Sequence, residues 1–192
     1  RNQRRQKELE LKTLQYQINP HFLYNTLDSI YMMARRSGNG EIEDMVTSLS
    51  TLFRLSLAHG QDFVTLEHEI RYITCYLQIQ RIRFPLDFTW HTTIPDELRH
   101  CRVMKFLLQP LVENSLNHGL RNKPGGGQIC VSARREGDEL ILVVADDGMG
   151  MTEEQLHALL ELINRTDMEE NRDPFAGGVG VRNVHQRLLL SY

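Results

Sequence analysis

The segment QINPHFLYNTL, residues 17–27, places His21 directly after a proline in a stretch with helical periodicity. A neutral imidazole carries a nucleophilic nitrogen, and neutral histidine is abundant near neutral pH. Asn25 follows one helical turn later and therefore shares a face with His21. His21 could be a surface residue, a metal ligand or a nucleophile, and we hypothesise that Asn25 orients a water or an incoming group beside it.

A second polar cluster, ENSLNHG at residues 113–119, follows an apolar helical stretch. On a helix, Glu113 and Asn117 share one face, and Asn114 and His118 share the adjacent face. An amide oxygen is a suitable ligand for Mg²⁺, which prefers oxygen donors. An exposed amphipathic face would contain the same residue types, so this segment alone does not define a site.

Two glycine-containing segments follow. DDGMG, residues 146–150, ends an apolar strand, where glycines permit close backbone approach and an acidic side chain can accept a hydrogen bond from an exocyclic amine. GGVGVRN, residues 177–183, opens into a helix whose first N–H groups favour phosphate. No GK[ST] follows it, so it is not a Walker A loop. Alone, the first segment could be a hairpin turn and the second a flexible linker.

The elements that must position these residues change character near residue 85. Apolar residues at steps of three and four predict helices before that point, with Thr65 as an N-cap. The helices are expected over residues 3–36, 41–58 and 64–84. Alternating and β-branched residues afterwards predict strands mixed with helices. We expect a strand over 86–94, a helix over 104–120, a hairpin of 128–135 and 139–146, a short helix over 153–163 and a glycine loop opening into a helix over 177–192.

Composition limits the possible classes of protein. The 192 residues carry a net charge of −3 and 41% hydrophobic residues, which fits a soluble globular protein without a basic surface for nucleic acid. Cys75, Cys101 and Cys130 are far apart and lack CxxC spacing, which argues against disulfides and zinc sites. The chain opens inside a charged helical segment without an initiator methionine, so we expect it to be part of a longer protein.

The order of these motifs resembles the GHKL superfamily of ATP-binding domains. An asparagine-bearing helix, a strand ending in DxGxG, an acidic lid and a glycine loop before a helix correspond to its N, G1 and G2 boxes. The resemblance implies that Asn114 binds Mg²⁺, that Asp146 binds the adenine amine, and that residues 151–176 form the ATP lid. It also assigns the shape of the nucleotide loops to four glycines, namely Gly148, Gly150, Gly178 and Gly180.

The helical segments before residue 85 resemble one family more narrowly, the LytS/YesM-type sensor histidine kinases. The segments that carry this resemblance are LQYQINPHFLYNTLDSI and LEHEIRYITCYLQIQRIRF. LQPLVENSLNHG and GGVGVRNVHQRL match the same family. The resemblance implies ATP-dependent autophosphorylation of His21 and transfer to an aspartate of a response-regulator receiver domain. It implies an α+β chain with a helical dimerisation and phospho-acceptor module over residues 1–84. A GHKL α/β-sandwich ATP-binding domain would follow over residues 85–192, with its C-terminal strands missing.

The family also implies a homodimer through the N-terminal helices, in the cytoplasmic part of a bacterial protein anchored in the inner or plasma membrane. The anchor is expected only in the full-length protein. Glu113 is the candidate for a general base or polarising group near the γ-phosphate, and we expect His118 to face the ribose or phosphates. Asn117 replaces a lysine that is frequent in the family, and Lys123 is the nearest substitute for a phosphate contact. Phe22 occupies the position where many histidine kinases carry an acid.

Two other functions remain open at this stage. The chain could be a GHKL ATPase or serine kinase that never forms phosphohistidine. It could also be a dimerisation and signalling module without catalytic activity.

Overall fold

The computed structural model describes residues 20–57, 62–84, 87–164 and 179–192. Two helices come first, α1 (Pro20–Arg36) and α2 (Gly40–Ser56). Three residues join them, so the helices form an antiparallel hairpin, and Asn39 caps α2 by accepting a hydrogen bond from the Ile42 N–H. The predicted break at residues 37–40 is confirmed. Residues 3–19 of the first predicted helix lie outside the described part of the chain.

Among the described residues, helix α1 has a narrow contact with its neighbours. Leu27 and Ala34, two turns apart on one face, are its buried apolar residues, and they lie on the side that packs against α2. Several large apolar side chains of α1 are instead exposed, namely Phe22, Ile30, Met32 and Met33. A helix with apolar residues on more than one side is typical of a bundle in which further helices cover it.

Helix α3 (Leu66–Arg83) follows a short strand, β1 (Phe63–Thr65). The Thr65 hydroxyl accepts a hydrogen bond from the His68 N–H at 3.2 Å, so the predicted N-cap is confirmed. One side of α3 packs on α2. Leu66, Ile73 and Leu77 are fully buried in the core that α3 shares with the strands and helices beyond residue 87. The hydrophobic core therefore crosses the boundary predicted near residue 85.

The main sheet has the order β2–β4–β5, and these strands span Phe88–Thr93, Gly127–Glu136 and Glu139–Asp146. β4 and β5 form the predicted antiparallel hairpin, with Gly137 in the turn at φ 61°. β2 pairs with β4 in parallel, and β1 pairs antiparallel with β3 (Arg102–Met104). Buried side chains on the inner face of the sheet are those of Phe88, Ile129, Val131 and Ala133. Neither the parallel pairing nor the β1–β3 pair was predicted from the sequence.

The helix predicted over residues 104–120 was wrong at its start. Residues 102–104 form β3, a turn occupies residues 105–108, and α4 spans Gln109–Asn114. Phe106 in that turn has φ 58°, a left-handed conformation that ends any continuous helix. After α4 the backbone continues as a π-helical segment, Ser115–Leu120.

Two further helices complete the described chain, α5 (Glu153–Asn164) and α6 (Val179–Ser191). Their positions agree with the predicted helices at 153–163 and after the glycine loop. Gly178 and residues 165–177 lie outside the described residues. Because a helical hairpin precedes a sheet covered by helices on one face, the predicted α+β class is confirmed. Within the described ranges, no helix is both long enough and apolar enough to cross a bilayer.

Candidate active site

A cavity of about 780 Å³ lies between the α4 and π-helical segment, the end of β5, and helices α5 and α6. Its polar lining includes Asn114, Ser115, His118, Asp146 and Gln155. Its apolar lining includes Leu111, Val144, Met151, Leu159, Leu162 and Val181. The volume falls within the range of about 300–1,000 Å³ that is usual for small-molecule pockets. Mostly apolar walls with a few polar groups suit a flat aromatic base joined to a polar tail.

The structure brings Asn114 and His118 to this cavity, on the helical face that the sequence predicts they share. The other predicted face turns toward α3. Glu113 accepts a hydrogen bond from the Gln109 amide at 2.8 Å. Burial and then the nearby Glu113 carboxylate raise the pKa of Tyr76 to about 12. Asn117 lines a separate small crevice beside Tyr76. Among the described residues, neither Glu113 nor Asn117 lines the large cavity.

Asp146 is held against the π-helical segment by two glycines. Its Oδ1 accepts a hydrogen bond from the Gly148 N–H at 3.0 Å, and the Met149 N–H donates to the Gly119 carbonyl at 3.0 Å. A Cβ at Gly119 would lie 2.5 Å from Asp146 Oδ1, and one at Gly148 would lie 2.4 Å from the Gly119 oxygen. Only glycines allow this approach, which places the carboxylate at the cavity wall.

Gly119 is a site residue that the sequence reasoning missed. It lies within the helical segment of the ENSLNHG motif, where a glycine lowers helix stability by about 1 kcal/mol relative to alanine. Such a glycine usually has a packing or functional reason. That signal, read together with the strand end at residues 146–150, could have identified the contact.

Lys123 interacts with the neighbouring carboxylate instead of lining the cavity. Its Nζ donates to the Asp147 carbonyl at 2.7 Å and lies 3.0 Å from Asp147 Oδ1. Asp147 Oδ1 also accepts a hydrogen bond from the Gln128 N–H at 2.7 Å. The Gln128 N–H and then Lys123 lower the pKa of Asp147. These contacts connect the loop after the π-helical segment to the glycine turn after β5.

The remaining glycines have different surroundings. Gly150 lines the cavity and has φ 69°, a conformation that favours glycine. Gly180 lies in the first turn of α6, and a Cβ there would be 3.2 Å from the Pro110 Cβ. This glycine therefore lets α6 approach α4 closely. The following residue, Val181, lines the cavity.

His21 is exposed on α1 and is not part of the cavity lining. Its Nδ1 lies 3.3 Å from the Asn25 amide nitrogen, so the predicted shared face is present. An asparagine can present either its nitrogen or its oxygen to the ring. With the oxygen presented, Nδ1 carries the proton and Nε2 keeps the lone pair that a nucleophile needs.

The described residues do not form a magnesium site made of several carboxylates. The described residues contain no group of three or more histidine, cysteine, aspartate and glutamate side chains that could hold a metal. Mg²⁺ in nucleotide sites commonly takes only one or two protein ligands and completes its shell with phosphates and water. Asn114 at the cavity wall fits that arrangement as a single oxygen ligand.

Two protein-family models match the chain. The first, described as histidine kinase, matches residues 9–88. The second, described as histidine kinase-, DNA gyrase B-, and HSP90-like ATPase, matches residues 103–191. A histidine kinase match followed by an ATPase match defines the class as a histidine kinase core, and the second match implies that the core binds ATP.

Curated relatives narrow the class further. The chain is 36% identical to the sensor histidine kinase YesM of Bacillus subtilis over 186 residues, which is 97% of this chain and 30% of YesM. It is 41% identical to the sensor histidine kinase BtsS of Escherichia coli K12 over 138 residues, 72% of this chain and 24% of BtsS. It is 30% identical to the sensor histidine kinase/phosphatase LytS of Staphylococcus aureus MRSA252, over 95% of this chain and 30% of LytS.

The chain belongs to the LytS/YesM-type sensor histidine kinases, as the resemblance in the sequence predicted. It spans roughly a quarter to a third of the length of these relatives.

Proposed function

We propose that this chain is the catalytic core of a two-component sensor histidine kinase. It transfers the γ-phosphoryl group of ATP to His21 and then to an aspartate of a response-regulator receiver domain. The observation that carries the proposal is the pairing of two separate features. Asn114 and Asp146 both line one nucleotide-sized cavity, and an exposed histidine lies on a helix outside it.

The phosphoryl transfer to His21 is a direct displacement. The lone pair of the imidazole nitrogen forms a P–N bond with the γ-phosphorus, the bond to the bridging oxygen breaks, and ADP leaves with those electrons. The imidazole proton passes to a base or to water. Because phosphoryl transfer depends mainly on positioning and charge neutralisation, the chain needs little other covalent chemistry. With its amide oxygen turned toward Nδ1, Asn25 would keep the proton on that nitrogen and leave Nε2 as the nucleophile.

The cavity residues then have defined roles. Asp146 accepts a hydrogen bond from the exocyclic amine of adenine, while Gly119 and Gly148 leave room for its carboxylate. Asn114 holds Mg²⁺, which neutralises phosphate charge when it is bound. His118 lies on the same wall and faces the ribose or phosphates.

Glu113 faces α3 and does not line the cavity. A role for Glu113 at the γ-phosphate would therefore require a different conformation of this segment. Unchanged autophosphorylation in Glu113→Gln would remove that role.

The exposed apolar side of α1 supports a homodimer. Phe22 is 69% exposed and Met33 is 66% exposed, on a helix that otherwise contacts α2. A second copy of α1 and α2 packed there would complete a four-helix bundle.

The receiver domain of the response regulator must reach His21, so we propose that it binds the same helical module. We also assign this core to the cytoplasmic side of a membrane-anchored kinase.

The test is incubation of the chain with Mg·ATP labelled at the γ-phosphate. We expect a protein-bound label that base leaves intact and acid removes, as a phosphoramidate requires. The label should be absent in His21→Ala, whose ATP binding should remain. A label that survives acid would instead identify a serine kinase, and an acid-labile label that remains in His21→Ala would place the phosphoryl group on a residue other than His21. ATP hydrolysis without any label would indicate an ATPase.

Mixing two inactive variants tests the dimer. His21→Ala retains the nucleotide site, and Asp146→Asn retains the acceptor histidine. Restored labelling of the Asp146→Asn chain in the mixture would show transfer across a dimer. No labelling in a mixture that still forms dimers, with both variants folded, would mean transfer within one subunit.

A further inference from the structure

The turn between β3 and α4, residues 105–108, connects four helices. Phe106 lies in it at φ 58°, a left-handed conformation that a non-glycine residue adopts only when its surroundings enforce it. Its neighbours along the chain lead directly into α4, which carries Asn114. The groups that enforce this conformation are therefore placed to control where Asn114 lies.

Glu69 of α3 holds the N–H side of this turn. Its side chain has no exposure to solvent, and its carboxylate accepts hydrogen bonds from the N–H groups of Phe106, Leu107 and Leu108 at 2.7, 2.9 and 3.2 Å. Burial raises the pKa of Glu69, and the three N–H groups partly offset that rise. A buried carboxylate with this many backbone donors is a strong and specific restraint.

Arg187 of α6 holds the carbonyl side of the same turn. Its guanidinium donates to the Lys105 carbonyl at 2.5 Å and to the Phe106 carbonyl at 3.3 Å. The Lys105 ammonium in turn donates to the Ser56 carbonyl at the end of α2, at 2.7 Å. The turn is therefore bound by α3 through its N–H groups, by α6 through its carbonyls and by α2 through one side chain.

We propose that Glu69 and Arg187 are positioning residues for the triphosphate end of the nucleotide site. They fix α4, which carries Asn114, relative to α6, whose first turn follows the glycine loop. This inference rests on the proposed ATP site. The adenine end has its own support, because Asp146 is held through Gly148 and Gly119. The hydrogen bonds that Glu69 and Arg187 make to the turn do not involve these three residues.

We therefore expect the same substitution to affect ligand binding at the two ends of the site differently. In Glu69→Gln the side chain keeps one acceptor oxygen but loses its charge and gains an amide that cannot accept. We expect the Kd for Mg·ATP to rise about tenfold, the change for one lost charge-assisted hydrogen bond. The Kd for adenosine should change by less than about twofold. Titration calorimetry with both ligands measures the two constants on the same protein.

Glu67→Gln is the matched control. Glu67 lies two residues earlier on α3 and pairs with Arg99 at the surface, away from the turn. The same chemical change there should leave both constants unaltered. An equal rise in both constants in Glu69→Gln would reduce Glu69 to a purely structural role, and no rise in either would refute the proposal.

Arg187→Lys keeps the proposal testable if Glu69→Gln does not fold. A lysine retains the charge but cannot donate to two carbonyls at once, so it should also weaken Mg·ATP more than adenosine. Wild-type chain that binds neither ligand would overturn the proposed ATP site, and this inference with it. Wild-type chain that binds both, with variants that bind equally well, would overturn only the roles of Glu69 and Arg187.

Discussion

The acceptor histidine and the nucleotide cavity are built in opposite ways. His21 lies exposed on α1, and Asn25, one turn away on the same helix, contacts its ring. The cavity is instead shaped by backbone: Gly119 and Gly148 touch, and the Met149 N–H binds the Gly119 carbonyl. Chemistry at the acceptor should therefore be separable from folding, whereas chemistry at the cavity should not.

Among the substitutions that test this contrast, His21→Ala should have the largest effect. Phosphohistidine should be lost completely, because the acceptor nitrogen is gone. The free energy of unfolding should stay within about 0.5 kcal/mol of wild type, as for other exposed positions. Labelling with γ-labelled ATP and urea denaturation measure the two quantities. His91→Ala, at an exposed position on β2, is the control and should change neither.

Gly119→Ala should affect both function and stability. The added Cβ would lie 2.5 Å from Asp146 Oδ1 and displace that carboxylate. Loss of a hydrogen bond to a charged group is worth about 1.5–3 kcal/mol, so the Kd for ATP should rise about tenfold to a hundredfold. Crowding should also lower the free energy of unfolding by about 1–3 kcal/mol.

Gly40→Ala is the control for that substitution, because a Cβ at Gly40 in α2 meets nothing within 4 Å. It should leave the Kd for ATP unchanged. If Gly119→Ala bound ATP as tightly as Gly40→Ala, the contrast between a cavity formed by backbone contacts and a surface histidine would not hold.

Asn25→Ala should slow the reaction without changing ATP binding. The amide fixes the ring and its tautomer, and a hydrogen bond of this kind contributes about 0.5–1.5 kcal/mol. The autophosphorylation rate should therefore fall about threefold to tenfold. Single-turnover kinetics measure the rate, and Ser29→Ala, one turn further along α1, should retain it. A rise in the Kd for ATP would mean that α1 and the cavity are not independent.

The smallest expected effect concerns the pH dependence of stability at Asp147. The Gln128 N–H and Lys123 lower its pKa in the folded protein. Its contribution is therefore present above the ordinary aspartate pKa of about 3.9 and is lost as the pH falls toward the lowered value. Asp147→Asn should have a slightly lower melting temperature than wild type at neutral pH, with the difference shrinking below about pH 4.

Lys123→Met removes the partner and should give a smaller effect with the same pH trend. Because both side chains are partly exposed, solvent screens the pair and both effects should be small. A constant difference across the whole pH range in both variants would contradict this assignment.

Local patterns allowed much of the fold to be predicted. The N-cap Thr65, the hairpin turn at Gly137 and the break near residue 38 depend on neighbours in sequence, and each agrees with the structure. The start of α4 was wrong because Glu69, 37 residues earlier than Phe106, captures the N–H groups of the turn.

The site was predictable to a similar degree. The asparagine helix and the glycine turn after β5 carry recognisable motifs, so Asn114 and Asp146 were predicted to belong to one site, and both line the cavity. The pairing of Lys123 with Asp147 was not predicted, because it joins two loops across the start of β4. Long-range contacts of this kind leave no local periodicity for a sequence pattern to report.

The position of α3 has a practical consequence for anyone dividing this molecule. Leu66, Ile73 and Leu77 are fully buried in the core around the sheet, and β1 is hydrogen-bonded to β3. A recombinant fragment that begins at residue 85 would lack those side chains and that strand, and would expose the apolar surface they cover. A nucleotide-binding fragment intended for crystallisation or inhibitor screening should therefore begin before Phe63.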